Sequence, residues 1–158
     1  RDMLTVMYKA RGLGLAAEQV GRTEAVCVID VPPEMDVKEK DGPRENPDVT
    51  MPLVLVNPQI AGEEGQQASQ EGCLSFPEIF VTIKRPYEVT VSYAGIDGRE
   101  RHATVRGLVA RAVLHEVDHL NAILLVDRMS TVQKLAVAGK LKRLKKETQE
   151  RLREQEQE

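Results

Sequence analysis

The 158-residue sequence has no tryptophan, and aromatic residues make up only 3% of it. Its core must therefore be built from aliphatic side chains, and the stacked aromatics that hold single-stranded nucleic acid are missing. No apolar run reaches the roughly 18 residues needed to cross a membrane as a helix. A positive excess is missing too: the formal net charge is −3. The chain as a whole is thus not an electrostatic binder of nucleic acid, and direct DNA binding is not expected. Two cysteines cannot make a disulfide scaffold; so few suggest a reducing compartment or a thiol with a special task. Hydrophobic residues at 41% and charged residues at 30% are the balance of one globular domain with a true core.

The apolar spacing of Met3, Val6, Met7 and Ala10 predicts a short first helix, ended by Gly12-Leu13-Gly14. The β-branched run Ala25 to Val31 predicts a buried strand, and Leu53 to Val56 another. Between them, 32–51 is rich in Pro, Asp, Glu and Lys and reads as a long, mobile surface loop. Residues 62–70 read as a polar, turn-rich stretch, and 79–83 as a short strand. Tyr87 to Tyr93 alternates like a half-buried antiparallel strand, with 101–105 returning after the turn Gly95-Ile96-Asp97-Gly98. The period then lengthens: 107–123 reads as a central apolar helix, with 124–126 as a brief strand. Ser130-Thr131-Val132-Gln133 has the form of a capping box, opening a last helix with a stripe through Leu135, Ala138, Leu141 and Leu144. Beyond Thr148 the stripe fades, and fraying is expected. This order of elements predicts an α+β fold, with antiparallel sheets packed around a central helix and a helix at the C-terminus.

The strongest chemical signal lies on that central helix. His115-Glu116-Val117-Asp118-His119 is an HExxH motif. Residues four apart share a helix face, so both imidazoles can reach one metal while Glu116 stands beside it as a proton acceptor. A catalytic site of this type needs a third ligand and an open position. No histidine follows His119; Asp127 and Glu147 are carboxylate candidates, and Cys27, Cys73 and His102 lie upstream. Cys27 sits in an apolar strand and reads as a small core residue, and His102 as exposed on a polar hairpin. Cys73, in Glu71-Gly72-Cys73-Leu74-Ser75, leaves a turn-rich stretch as a thiol able to coordinate. A Cys-His-His set would suit Fe(II), Zn(II), Co(II) or Ni(II). Asp118 points away from the histidine face and is expected in a supporting salt bridge. Gly12-Leu13-Gly14-Leu15-Ala16-Ala17-Glu18-Gln19 lacks the Lys-Ser/Thr of a phosphate loop; it reads better as backbone laid against an extended ligand, with Gln19 as a neutral donor.

Taken together, Gly12–Gln19, Glu71–Ser75 and His115–Leu120 resemble the three ordered motifs of the peptide deformylase family. The resemblance extends over about Asp2 to Ser130. It implies a metal-dependent hydrolase that removes the N-formyl group from N-formylmethionine of newly made proteins. It implies one metal held by Cys73, His115 and His119, with iron(II) expected natively and zinc, nickel or cobalt able to replace it. Glu116 becomes the general base; the Gln19 amide and the Leu74 backbone N–H form the oxyanion hole. The peptide would pair as an added strand along Leu13, Gly14 and Gly72. Its methionine side chain would enter a pocket lined by Leu108, Ala112 and the stem of Arg111, with Arg85 near the cleft beside Glu71. The sequence departs from the family's habit at Leu114, where Gln is usual, and at Ala122, where Gly is usual; neither removes a ligand or the base.

On this reading 1–131 is the catalytic domain, expected to lack part of its N-terminus, and 132–158 a charged C-terminal helix. Residues 132–158 carry 8 Lys/Arg against 5 Asp/Glu, densest at Lys140, Lys142, Arg143, Lys145 and Lys146. The resemblance implies ribosome docking for such a helix. The expected setting is a bacterial cytoplasm, with an organelle as the alternative.

Overall fold

The computed structural model describes residues 2–155. They divide into two compact units, 2–68 with 84–124 and 69–83 with 125–155. Helix α1 (Asp2–Lys9), strands β1 (Gly14–Ala16), β2 (Val26–Ile29), β3 (Leu53–Glu64), β6 (Glu88–Ala94), β7 (Glu100–Arg106) and helix α2 (Gly107–Leu120) make the first unit. Strands β4 (Gln67–Cys73) and β5 (Phe76–Arg85) form a separate two-stranded sheet. With helix α3 (Thr131–Gln155), they supply most of the second unit. The architecture is the α+β arrangement read from the order of elements.

The first unit's sheet runs β1-β2-β3-β6-β7, and every neighbouring pair is antiparallel. Successive side chains alternate faces. On one face Cys27, Ile29, Leu53, Leu55, Val89, Val91 and Val105 pack against Val109, Ala110, Val113 and Val117 of α2. On the other, the register aligns Leu15 with Val28 and Val28 with Val54. That row is covered by Met3, Leu4 and Met7 of α1. Burying an aliphatic side chain contributes about 1.5–3 kcal/mol, so a core without tryptophan is sufficient.

Three segments differ from the sequence reading. The polar stretch 62–70 is strand: β3 continues to Glu64 and β4 begins at Gln67, joined through Gly65 at φ 65°. Its side chains are polar on both faces, so no alternation marks it; pairing of β3 with β6 imposes the extended backbone. Residues 125–128 form a 3-10 turn in place of a brief strand, burying Leu125. The loop 32–51 is tied down. Asp36 and Asn46 are 1% and 3% exposed. The Asp36 carboxylate accepts from Arg44 Nε at 3.0 Å and from Asn46 Nδ2 at 2.5 Å. Buried polar groups persist only when partnered, and here they partner one another.

In the second unit Ile79, Val81, Ile83, Leu125 and Met129 form a small core with Val137 and Leu141 of α3 packed on it. The capping box at Ser130 is present: Gln133 N–H donates to Ser130 Oγ at 3.2 Å, and Ser130 N–H to Gln133 Oε1 at 2.9 Å. The half-buried stripe runs through Val137, Leu141 and Leu144, while Leu135 is 72% exposed. Helix continues to Gln155, past the expected fraying point. Among the described residues, no helix is long and apolar enough to cross a membrane.

Candidate metal centre

Helix α2 is the scaffold of the site. Eleven of its fourteen residues are buried, including Glu116, Asp118 and His119. Its first turn is held by groups far away in sequence. Arg106 N–H donates to Asn46 Oδ1 at 2.8 Å, and Asn46 Nδ2 donates to the Arg106 carbonyl at 3.2 Å. Gly107 N–H donates to the Tyr87 carbonyl at 2.9 Å, and the Gly107 carbonyl accepts from Gln67 Nε2 at 2.8 Å. Gly107 itself has φ 56°, a left-handed backbone that glycine adopts without strain. Asn46 and its partner Asp36 were missed in the sequence, where nothing in a polar loop marks which amide is buried.

His115 and His119 stand one turn apart on α2, as their spacing predicts. Their Nε2 atoms are 3.3 Å apart and their rings are inclined by 68°. Two nitrogens bound about 2.0–2.1 Å from one tetrahedral metal are separated by roughly 3.3–3.4 Å, so this pair fits a shared ion. Cys73 closes β4 at 8% exposure. The set Cys73, His115 and His119 offers one thiol and two imidazoles as donors, the thiol from the second unit and the imidazoles from the first. Its mixed thiolate and imidazole donors suit a borderline-soft divalent ion.

Asp118 lies away from the histidines' shared task. It accepts from Arg85 Nη1 at 2.8 Å, with both side chains buried. This is the supporting salt bridge expected for Asp118. Gln19 sits in the 3-10 turn Ala17–Val20. Its Oε1 accepts from Ala16 N–H at 2.9 Å, which turns the amide nitrogen, a donor, the other way. Leu13 and Leu108 are half-buried, while Ala112 and Arg111 are 9% and 4% exposed. Leu74 is 42% exposed in the turn after β4. Gly72 carries the ring of Phe80 against its Cα: a Cβ there would lie 2.7 Å from Phe80 Cε1. Cys27 is a buried core residue, as read, and burial, reinforced by the negative charge of Glu116, pushes its thiol well above the usual range. His102 is exposed on β7.

A sequence model described as polypeptide deformylase matches residues 1–135. The chain belongs to the polypeptide deformylase family. A peptide deformylase of Synechococcus sp. (strain RCC307) is 43% identical over 145 residues, covering 91% of this chain and 65% of the relative. One from Opitutus terrae is 40% identical over 152 residues, covering 94% and 79%. Against these curated relatives the chain spans between about two thirds and four fifths of the full length. The structure of peptide deformylase 1B from Arabidopsis thaliana, in complex with an inhibitor, superposes with a TM-score of 0.80 at 33% identity, covering 95% of this chain and 77% of that one. The deformylase of Synechococcus elongatus, in complex with actinonin, gives 0.73 at 40% identity, covering 89% and 71%. These family members share the α+β fold described above.

Proposed function

We propose that the chain hydrolyses the formamide of N-formylmethionyl peptides, releasing formate and a free α-amine. The observation that carries this reading is the pair of α2 histidines at metal-sharing distance, with Glu116 between them, in a chain of the deformylase family. Cys73, His115 and His119 are the proposed ligands of one divalent ion, iron(II) natively, with zinc, nickel or cobalt as replacements. When bound, the ion supplies Lewis-acid polarisation of the formyl oxygen and a lowered pKa for water.

The chain's own residues do the rest. Glu116 accepts a proton from the attacking water and delivers it to the nitrogen as the C–N bond breaks. The Gln19 amide and the Leu74 N–H donate to the oxygen that gains charge. The orientation that Ala16 N–H gives Gln19 supports that role. Peptide backbone would lie along Leu13, Gly14 and Gly72. The methionine side chain would rest on Leu108, Ala112 and the aliphatic stem of Arg111. Arg85 is assigned to holding Asp118, its 2.8 Å ion-pair partner, rather than to the substrate cleft. Lys142, Lys145 and Lys146 are exposed on α3 and are proposed to meet the ribosome, in a bacterial cytoplasm.

The test is formate release from formyl-Met-Ala-Ser by protein purified without oxygen, with acetyl-Met-Ala-Ser as the control. Formate from the first peptide alone, with near one equivalent of metal, is the expected result. Internal cleavage points to a general metallopeptidase, and no turnover after nickel loading to a binding protein; either overturns the reading. Glu116→Ala is expected to keep the metal and lose activity by at least about 100-fold. Cys73→Ala is expected to lose both.

A further inference from the structure

Gly14 is not a glycine for conformational reasons. It lies in β1, in extended backbone that any residue adopts, and pairs in register with Ile29. What it lacks room for is a side chain. A Cβ built at Gly14 would lie 2.8 Å from both Cγ and Cδ of Glu116, with Oε1 nearer still. Real Cβ atoms do not approach other heavy atoms so closely, so one group must move. The backbone of β1 is fixed by β2, which is fixed in turn by β3. Glu116 is 4% exposed on a helix packed into the core. Neither side is a flexible surface chain that can swing into solvent.

We propose that Gly14 is a positioning residue for Glu116: the missing side chain is the space in which the carboxylate is held. The proposal rests on Glu116 being the general base. It assigns the residue at 14 a task separate from any pairing of its backbone with a peptide. A methyl group at 14 pushes the carboxylate off its place, and an error of about 1 Å in a catalytic group is enough to cost on the order of 100-fold in rate.

Thermal melting of the full, metal-loaded chain reads this contact without reference to catalysis. Gly14→Ala is expected to lower Tm by about 5 °C, the usual consequence of overpacking a tight site. The same change made in a Glu116→Ala background is expected to cost less than about 1 °C, because the clashing atoms are gone. In a Glu116→Gln background it should cost as much as in the native chain, since shape rather than charge is at issue. An equal loss beside Glu116→Ala overturns the proposal. If Gly14→Ala alone does not fold, Gly14→Ala/Glu116→Ala is still expected to fold, and its failure to do so overturns the proposal as well. In formate release, Gly14→Ala should lower kcat roughly 100-fold while KM for formyl-Met-Ala-Ser stays within about threefold. An unchanged kcat counts against it. Absence of formate release by the native chain would sink the deformylase reading instead, and the melting comparison would still decide the role of Gly14.

Discussion

Helices α2 and α3 solve opposite problems. α2 has 14 residues, eleven of them buried, and its apolar side chains meet the sheet on one side while its polar ones are drawn into ion pairs and hydrogen bonds. α3 has 25 residues, none of them buried. It is held by its own capping box, by Val137 and Leu141 on a small core, and by exposed polar contacts to β5. Gln133 Nε2 donates to the Thr82 carbonyl at 2.7 Å, and Lys140 Nζ to the Glu78 carbonyl at 3.0 Å. Arg143 meets the Glu78 carboxylate at 3.1 Å. Length therefore says little about how firmly a helix is fixed. A pair of histidines whose spacing must hold to a fraction of an ångström is better served by the shorter helix, because burial of eleven of its fourteen residues removes the freedom that a surface helix keeps.

The sharpest way to break this comparison is at the buried ion pair. Asp118→Ala strips Arg85 of a buried partner and is expected to destabilise by about 4 kcal/mol, read by denaturant unfolding. A loss under about 1 kcal/mol would mean that α2 does not depend on it. Next comes one substitution made on both helices. Leu114→Ala, at 7% exposure, should cost about 3 kcal/mol, whereas Leu135→Ala, at 72% exposure, should stay within about 0.5 kcal/mol. Similar losses would abolish the distinction.

The helix starts differ in the same direction. Asn46→Ala removes both bonds to Arg106 and leaves Asp36 short of a buried partner; about 2 kcal/mol is expected. Because it acts on the first turn of α2, bound metal measured by atomic absorption should fall with it. Ser130→Ala removes an exposed cap and should cost about 1 kcal/mol, with metal content unchanged. A drop in metal for Ser130→Ala, or none for Asn46→Ala, would reverse the assignment of which helix start matters to the site.

Much of this was legible in the residues alone. The period change at Gly107, the β-branched run at 26–29 and the alternation at 88–94 are local signals, and the elements follow them closely. The capping box at Ser130 was legible for the same reason: both of its partners lie within four residues. Where the signal was not local, the reading failed. The strands through 62–70 carry polar side chains on both faces and are extended only because other strands claim their backbones. In 32–51, Asp36 and Asn46 look like any loop residues; their burial depends on the start of a helix whose cap, Arg106, lies sixty positions after Asn46.

The site divides along the same line. By itself the sequence determined the donor types, the one-turn spacing of His115 and His119, and the glutamate beside them, because helical periodicity converts spacing into a shared face. It also determined the family, since three motifs in order are far more specific than any one. Only the tertiary structure decided that Arg85 serves Asp118, that Asn46 holds the start of α2, and that Gly14 is small because Glu116 fills the space above it. Each of these joins residues between 33 and 102 positions apart, and contacts across such distances are set by packing, which no local pattern of residues encodes.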